Sequence, residues 1–444
     1  MVEGGAGGSR RGLATAGVPK GSARRGSVRQ VVTEVDARDG VARTRDGAPD
    51  RGGNDDGARS VRPVWLAPLI LYGAVLAVLL VVNWQVQVRG VEPATIVKMD
   101  FAGSWFWDGW VRYDGGWYVD IARRGYWYIP GQPSSVAFFP AYPLLMRGVG
   151  GVINNGALAG IFITMTCGAG ALVAFHRWCR DRLTPQAALT AVACLALYPY
   201  AYYLYGAVYS DALFLLCALL AFLAFERDHM VLAGLAGAAA TGTRLVGVAV
   251  VVGLVVGVLE RRRVVTRADG RRPAFAWRRL RPGDAGVLLS VGGLVAWMGY
   301  LWNRFDDPFL FQAIQAEWGQ QSGWRTWFKQ DFVTAWWTYP GRFYTHGLLI
   351  QALLLALVVL SIPVVGRRFG WRYGAYLATL VAIPALGSQD FQGMGRYLLG
   401  AFPAFAVLGS LLADRPAVRR WVLPLSAALL VVFTGMFANG RYIS

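Results

Sequence analysis

The chain has 444 residues, of which 55% are hydrophobic and 16% charged, and its formal net charge is +18. The charged residues cluster between apolar blocks, which excludes an ordinary soluble domain. The arginines lie beside those blocks, where positive charge marks the cytoplasmic face of a membrane protein, so we expect no nucleic-acid partner.

The first 63 residues are rich in Gly, Arg, Ser and Asp and contain no apolar h-region. This composition predicts a disordered, basic cytoplasmic tail without a cleaved signal peptide. We expect residues 64–444 to form one multi-span membrane domain.

Ten apolar segments follow the tail, and several approach the roughly 20 residues that span a bilayer as a helix. They lie near 64–84, 157–176, 186–204, 209–225, 231–258, 285–303, 346–365, 373–387, 397–412 and 421–438. A shorter segment, 136–152, contains two prolines and is expected to dip into the outer leaflet. The sequence thus predicts an all-α polytopic fold with about 9 to 11 transmembrane helices.

The connectors predict the orientation of these segments. The stretch 260–282 carries nine arginines and two acidic residues, which makes it cytoplasmic. Loops 85–136 and 305–345 are nearly neutral and dense in Trp and Tyr, so we expect them outside, with short interfacial helices. The N-terminus is then inside and the C-terminus outside.

Segment 231–258 must leave and re-enter the cytoplasmic side. Its polar patch at 241–244 predicts two short helices with a bend between them. Arg244 then lies at membrane depth, where an isolated charge is costly, so it requires an anionic partner.

The first outer loop contains RYDGGWYVDIARRGY at residues 112–126. Trp117, Tyr118 and Ile121 follow helical spacing, which predicts an amphipathic helix with Asp114 in its first turn and Gly125 as its stop. An aspartate in a first turn is also favoured by the helix dipole alone, so a structural role for Asp114 stays open.

Several motifs, taken in order, resemble those of the PIG-V family of mannosyltransferases and its bacterial relatives. They are RYDGGWYVDIARRGY, AFFPAYPLL at 137–145, YSDALF at 209–214, Thr243 with Arg244, DPF at 307–309 with Gln315 and Trp318, GRYLL at 395–399, and Phe402 with Pro403. The resemblance covers the chain from about residue 60 onward. It implies a GT-C membrane glycosyltransferase that transfers mannose from a polyprenyl-phosphate donor, with Asp114 as the base.

The physical requirements of such a reaction assign further roles. A catalytic face outside the cell cannot draw on cytosolic nucleotide sugars, whereas a lipid-linked sugar reaches it through the membrane. The reaction needs a base for an acceptor hydroxyl and cations for the leaving phosphate. We assign Asp114 as the base and Arg244 and Arg396 as phosphate clamps.

Further residues complete the predicted substrate-binding set. They are Arg112, Trp117, Tyr118, Asp211 and Gln392. Asp211 begins an apolar helix and is equally explained as its N-cap, whereas for Gln392 the sequence favours a polar outer turn over a place in the sugar pocket. We expect no cofactor and no metal, because Cys and His lack ligand spacing and nucleotide-binding glycine motifs are missing.

Two other classes of function remain open from the sequence. A transporter or flippase of a lipid-linked or anionic substrate would also place charges inside the membrane. A noncatalytic partner in cell-envelope synthesis is the third. The acceptor is left open as a glycolipid, a glycan or a protein.

Overall fold

A computed structural model describes residues 65–89, 106–266, 274–318, 320, 323–441 and 443. The tail predicted for residues 1–63 lies outside the described residues, as do parts of loops 85–136, 260–282 and 305–345. The elements below belong to the compact unit Val61–Ser444.

The described chain is built almost entirely of helices. In order they are α1 Leu66–Val88, α2 Asp114–Arg124, α3 Ala141–Ile153, α4 Gly156–Arg180, α5 Pro185–Ala196, α6 Asp211–Glu226, α7 Met230–Thr243, α8 Val248–Arg261, α9 Gly292–Phe305, α10 Leu310–Ala313, α11 Trp324–Trp327, α12 Gln330–Thr338, α13 Phe343–Phe369, α14 Trp371–Gly387, α15 Met394–Tyr397, α16 Phe402–Ala413 and α17 Pro416–Ala438. The strands are β1 Val265–Thr266 and β2 Ala274–Phe275, an antiparallel pair. A 3-10 helix, Pro282–Val291, leads directly into α9.

Five of the described segments are long and apolar enough to cross a membrane. They are α1, α4, Pro282–Phe305, α13 and α17, each with 23 to 27 residues. The segment Met394–Gly400 and α16 would form a sixth span, bent by 84°. The prediction of a helical, polytopic membrane protein is confirmed.

The predicted 9 to 11 spans also included shorter helices. The helices α5, α6, α7, α8 and α14 have 12, 16, 14, 14 and 17 residues, which is short of the roughly 20 that a full crossing needs. By length and composition, five or six described segments qualify. Helix α6 is buried along most of its length, packed against α4 and α7, so it belongs to the interior of the bundle.

The helices α7 and α8 form the predicted hairpin. Arg244 separates them in an extended conformation, with φ −171° and ψ 156°. Arg261 in the last turn of α8 forms an ion pair with Asp228, which lies just before α7. The two arms therefore run back along each other, and the Arg244 bend lies at the far end from Asp228.

Small residues allow α7 to approach the Pro282–Val291 helix closely. A Cβ atom on Gly234 would lie 2.1 Å from the carbonyl oxygen of Gly286, and one on Gly237 would lie 2.5 Å from the Cβ of Ser290. Backbone contact of this kind is a common basis of helix association in membranes. These contacts fix the hairpin within the bundle.

A network of ion pairs and hydrogen bonds holds one end of α6 in place. Glu226 forms an ion pair with Arg182 and accepts a 2.5 Å hydrogen bond from the hydroxyl of Tyr373. Arg372 lies 3.6 Å from Glu226 and 3.0 Å from Glu260. Asp211 begins the same helix, so Asp211 and the Glu226 network lie at opposite ends of a helix of 16 residues, about 24 Å long.

Candidate active site

The helix α2 places Asp114 at its first position, as the sequence predicts, and ends before Gly125 at φ 88°. The residue before it, Tyr113, has φ 53° and ψ −116°, which is rare for a side chain other than glycine. Such backbone strain costs about 1–3 kcal/mol and persists only where the surroundings impose it. Tyr113 packs on Phe437, and the amide of Asp114 donates a 3.1 Å hydrogen bond to the hydroxyl of Tyr209. The start of α2 is therefore held from two sides.

Arg396 lies on the one-turn helix α15. The turn begins at Gly393, where φ is 82°, and passes so close to Tyr200 that a Cβ on Gly395 would lie 2.5 Å from the ring. The buried side chain of Gln351 accepts a 2.9 Å hydrogen bond from the amide of Gly395. The position of Arg396 is therefore fixed by its neighbours in the turn.

Two ion pairs form the centre of the site. Nη1 of Arg396 lies 2.6 Å from Oδ2 of Asp114, and Arg244 pairs with Asp211. The side chain of Asp211 is 2% exposed and that of Asp114 is 23% exposed. The structure thus brings the four predicted charged residues together, and Asp211 is the anionic partner that the position of Arg244 requires.

Tyrosine rings surround the two guanidinium groups. The guanidinium carbon of Arg396 lies 5.1 Å, 5.3 Å and 5.7 Å from the ring centroids of Tyr209, Tyr397 and Tyr203. That of Arg244 lies 4.9 Å from the ring centroid of Tyr397, so both cations approach one ring. Contacts of this kind stabilise a desolvated cation and hold it in place.

Tyr118 lies on α2 next to these charges. Its hydroxyl is 3.1 Å from the hydroxyl of Ser210. The pKa of Tyr118 is raised to about 12, mainly by burial; Arg244 and Arg396 act to lower it and Asp114 acts to raise it. Tyr118 therefore keeps its proton at neutral pH and can donate a hydrogen bond.

Two buried polar atoms at the centre have no hydrogen-bond partner within the described part of the chain. They are Nε of Arg396, a donor, and Oδ2 of Asp211, an acceptor. Buried polar atoms are rarely left unpaired, and in a candidate site they are positions where a ligand can bind. A phosphate oxygen matches the arginine N–H and a sugar hydroxyl matches the carboxylate oxygen.

The remaining predicted site residues lie around this centre. Arg112 is buried, pairs with Asp108 at 2.9 Å and donates to the carbonyl of Ala438 at the end of α17. Trp117 packs among the rings of Trp127, Phe138 and Trp318. The amide of Gln392 donates to Asp390 in the turn that leads to Arg396.

Trp318 and Lys329 are contributed by loop 305–345. Trp318 lies 5.1 Å from Trp117, ring centroid to ring centroid, and so joins loop 305–345 to loop 85–136.

Among the described residues, no group of three or more His, Cys, Asp or Glu side chains is arranged to hold a metal ion.

Sequence reasoning missed Lys329. It lies between α11 and α12, and its ammonium group contacts the carbonyl oxygens of Ala385 and Ser388 near the end of α14. Burial lowers the pKa of Lys329 to about 8, although the Asp390 carboxylate opposes this. Lys329 thereby holds loop 305–345 against the segment that precedes Arg396. The available signal was its rarity, since the chain has only three lysines.

Neither a protein-family model nor a curated protein sequence matches the chain. The solved structure of ArnT from Cupriavidus metallidurans bound to undecaprenyl phosphate is similar to it, with a TM-score of 0.48 and 16% identity, over 84% of this chain and 76% of that chain. ArnT from the same organism in the apo state gives a TM-score of 0.48 and 17% identity over the same shares. A third similar structure is the archaeal oligosaccharyltransferase AglB from Archaeoglobus fulgidus, in complex with an inhibitory peptide and a dolichol-phosphate. Its TM-score is 0.40 and its sequence identity 13%, over 84% of this chain and 56% of that chain.

Proposed function

We propose that this protein is a membrane glycosyltransferase of the GT-C kind. It moves a sugar, which we take to be mannose, from a polyprenyl-phosphate donor to the hydroxyl of an acceptor outside the cytoplasm. The observation that carries this proposal is the convergence of Asp114, Arg396, Asp211 and Arg244 in one tyrosine-lined site. The choice of mannose and of a polyprenyl donor rests on the motif resemblance.

The proposed chemistry is a single displacement with inversion. Asp114 accepts the proton of the acceptor hydroxyl while the hydroxyl oxygen forms a bond to the anomeric carbon of the sugar. The bond from that carbon to the phosphate oxygen breaks, and polyprenyl phosphate leaves with the electron pair. Arg396 and Arg244 stabilise the negative charge that grows on the phosphate.

A donor on Arg396 left unused by the described residues supports the binding of an anionic ligand. The side chains of Arg396 and Arg244 are 11% and 13% exposed, and each is paired with a carboxylate. A buried donor that has no acceptor is costly even so. The unpartnered Nε of Arg396 leaves a donor for a phosphate oxygen. A phosphodiester with an apolar tail satisfies the guanidinium and remains in the membrane.

The distribution of charge supports an extracytoplasmic site. The arginine-rich stretch 260–282 begins at the end of α8, where Arg261 pairs with Asp228. Asp211, at the start of α6, and Arg244, at the bend of the hairpin, lie at the other end of these helices from that stretch. Because arginine-rich connectors remain in the cytoplasm, this arrangement favours an outward-facing site. The inward N-terminus and the outward C-terminus stay predictions from the charge of the connectors.

Transfer in reconstituted vesicles tests the proposal. Purified protein is supplied with polyprenyl-phosphate mannose, radiolabelled in the sugar, and with an envelope extract as acceptor. We expect the label to enter a product from which a mannosidase releases it. Movement of the labelled lipid between leaflets without a new glycosidic bond would support the transporter class instead.

A further inference from the structure

We propose that the donor's phosphate displaces Asp114 from Arg396, so that donor binding is the step that frees the catalytic base. This inference rests on the proposed function and adds an order of events to it. In the ligand-free protein each guanidinium already has a carboxylate partner, Asp114 for Arg396 and Asp211 for Arg244. The two pairs together carry no net charge, so an incoming phosphate meets cations that are already neutralised.

The ion pair occupies the atom of Asp114 that the reaction needs. Its Oδ2 accepts a 2.6 Å charge-assisted hydrogen bond from Nη1 of Arg396. An acceptor hydroxyl that passes its proton to this oxygen must take the position of Nη1. Removal of the guanidinium therefore makes Oδ2 available at the point in the reaction where a base is needed.

The two pairs differ in how readily they open. The side chain of Asp211 is 2% exposed, so separating it from Arg244 would leave a buried charge without a partner. The side chain of Asp114 is 23% exposed and lies in the first turn of α2, where the helix dipole favours a free carboxylate. The exchange therefore takes place at Arg396, and the Asp211–Arg244 pair keeps its place.

Arg396 is arranged to accept the phosphate. Its Nε–H has no partner among the described residues, and the rings of Tyr203, Tyr209 and Tyr397 fix the guanidinium. A phosphate that binds Nε and Nη2 as a bidentate ligand lies on the same guanidinium that holds Asp114 through Nη1. Two anions on one guanidinium repel each other, so the phosphate's arrival drives the carboxylate out.

Equilibrium binding of polyprenyl phosphate, the sugar-free lipid, tests the exchange. The full chain is placed in nanodiscs and binding is measured for wild type and for Asp114→Asn. If Asp114 competes with phosphate, its neutralisation tightens binding by about ten- to hundredfold, the value of one hydrogen bond to a charged group. Asp114→Ser should tighten binding in the same direction, and it serves as the second variant if the asparagine variant does not fold.

Matched variants make the result specific. Asp120→Asn removes a carboxylate from the same helix, where Asp120 pairs with Arg124 at 3.2 Å, and should bind the lipid as wild type does. Arg396→Gln should bind it more weakly than wild type. If wild type binds the lipid and both Asp114 variants bind it equally or more weakly, the exchange is overturned and the proposed function stands. If none of the proteins shows saturable binding, the proposed function fails and the exchange fails with it.

Discussion

Asp114 and Arg396 are 282 residues apart in the sequence, and their side chains meet at 2.6 Å. Asp114 begins a short helix in loop 85–136, and Arg396 lies in the one-turn helix α15 before α16. This contact joins the beginning and the end of the membrane domain at one point. A displacement of either segment therefore changes the electrostatics of the proposed base.

Asp114→Asn should reduce sugar transfer by about 10²- to 10⁴-fold, because the amide cannot accept the acceptor's proton. Initial rates with polyprenyl-phosphate mannose measure the loss, normalised to the amount of folded protein. Asp120→Asn is the matched control and should retain the wild-type rate. A transfer rate near wild type in Asp114→Asn would remove Asp114 from the role of base.

Asp211→Asn should destabilise the protein strongly, since it leaves the buried guanidinium of Arg244 without its counter-charge. Breaking a buried pair in this way costs about 3–5 kcal/mol. Adding Arg244→Gln should restore much of the stability without restoring activity. Thermal unfolding in detergent compares the single and the double variants, and an unchanged midpoint in Asp211→Asn would contradict a supporting role for the pair.

Gly395→Ala should slow transfer because the new methyl group collides with Tyr200. The Cβ would lie 2.5 Å from the ring, and Tyr200 is 1% exposed, so α15 must shift and carry Arg396 with it. Overpacking of this kind costs about 1–3 kcal/mol. Gly387→Ala is the control, because nothing lies within 4 Å of its added Cβ. Equal transfer rates in the two variants would show that the Tyr200 contact does not position Arg396.

We predict a specific dependence of stability on pH from the lowered pKa of Lys329. Burial lowers its pKa to about 8 in the folded protein, whereas an unfolded lysine titrates near 10.4. Between these values the unfolded chain binds more protons, so the stability contributed by Lys329 rises as the pH rises. The difference in unfolding midpoint between wild type and Lys329→Met should therefore shift in favour of wild type from pH 7.5 to pH 10. A shift in favour of the variant would refute this.

Cysteine labelling tests the proposed orientation. The four native cysteines are buried, so the background with an impermeant maleimide should be low. Gln132→Cys and Gly283→Cys place single exposed thiols at the two proposed faces. In intact cells we expect labelling of Gln132→Cys alone, and of both after the membrane is permeabilised. Labelling of Gly283→Cys alone in intact cells would invert the proposed topology.

The sequence by itself determined the helical, membrane-spanning character of the chain and several element boundaries. Apolar runs define α1, α4, α13 and α17, because a backbone in lipid must satisfy its own hydrogen bonds. The start of α2 at Asp114, its end before Gly125 and the break at Arg244 are also local effects. They depend on residue types within a few positions of each other, and these can be read along the chain.

Only the tertiary structure decided which charges meet. Asp211 and Arg244 are paired because α6 and the hairpin pack side by side, and Asp114 reaches Arg396 because the first and last parts of the domain close on each other. The contact of Lys329 with the end of α14 is of the same kind. No local pattern encodes these pairings, since each depends on the packing of many helices and on the closure of long loops, and both are properties of the whole chain.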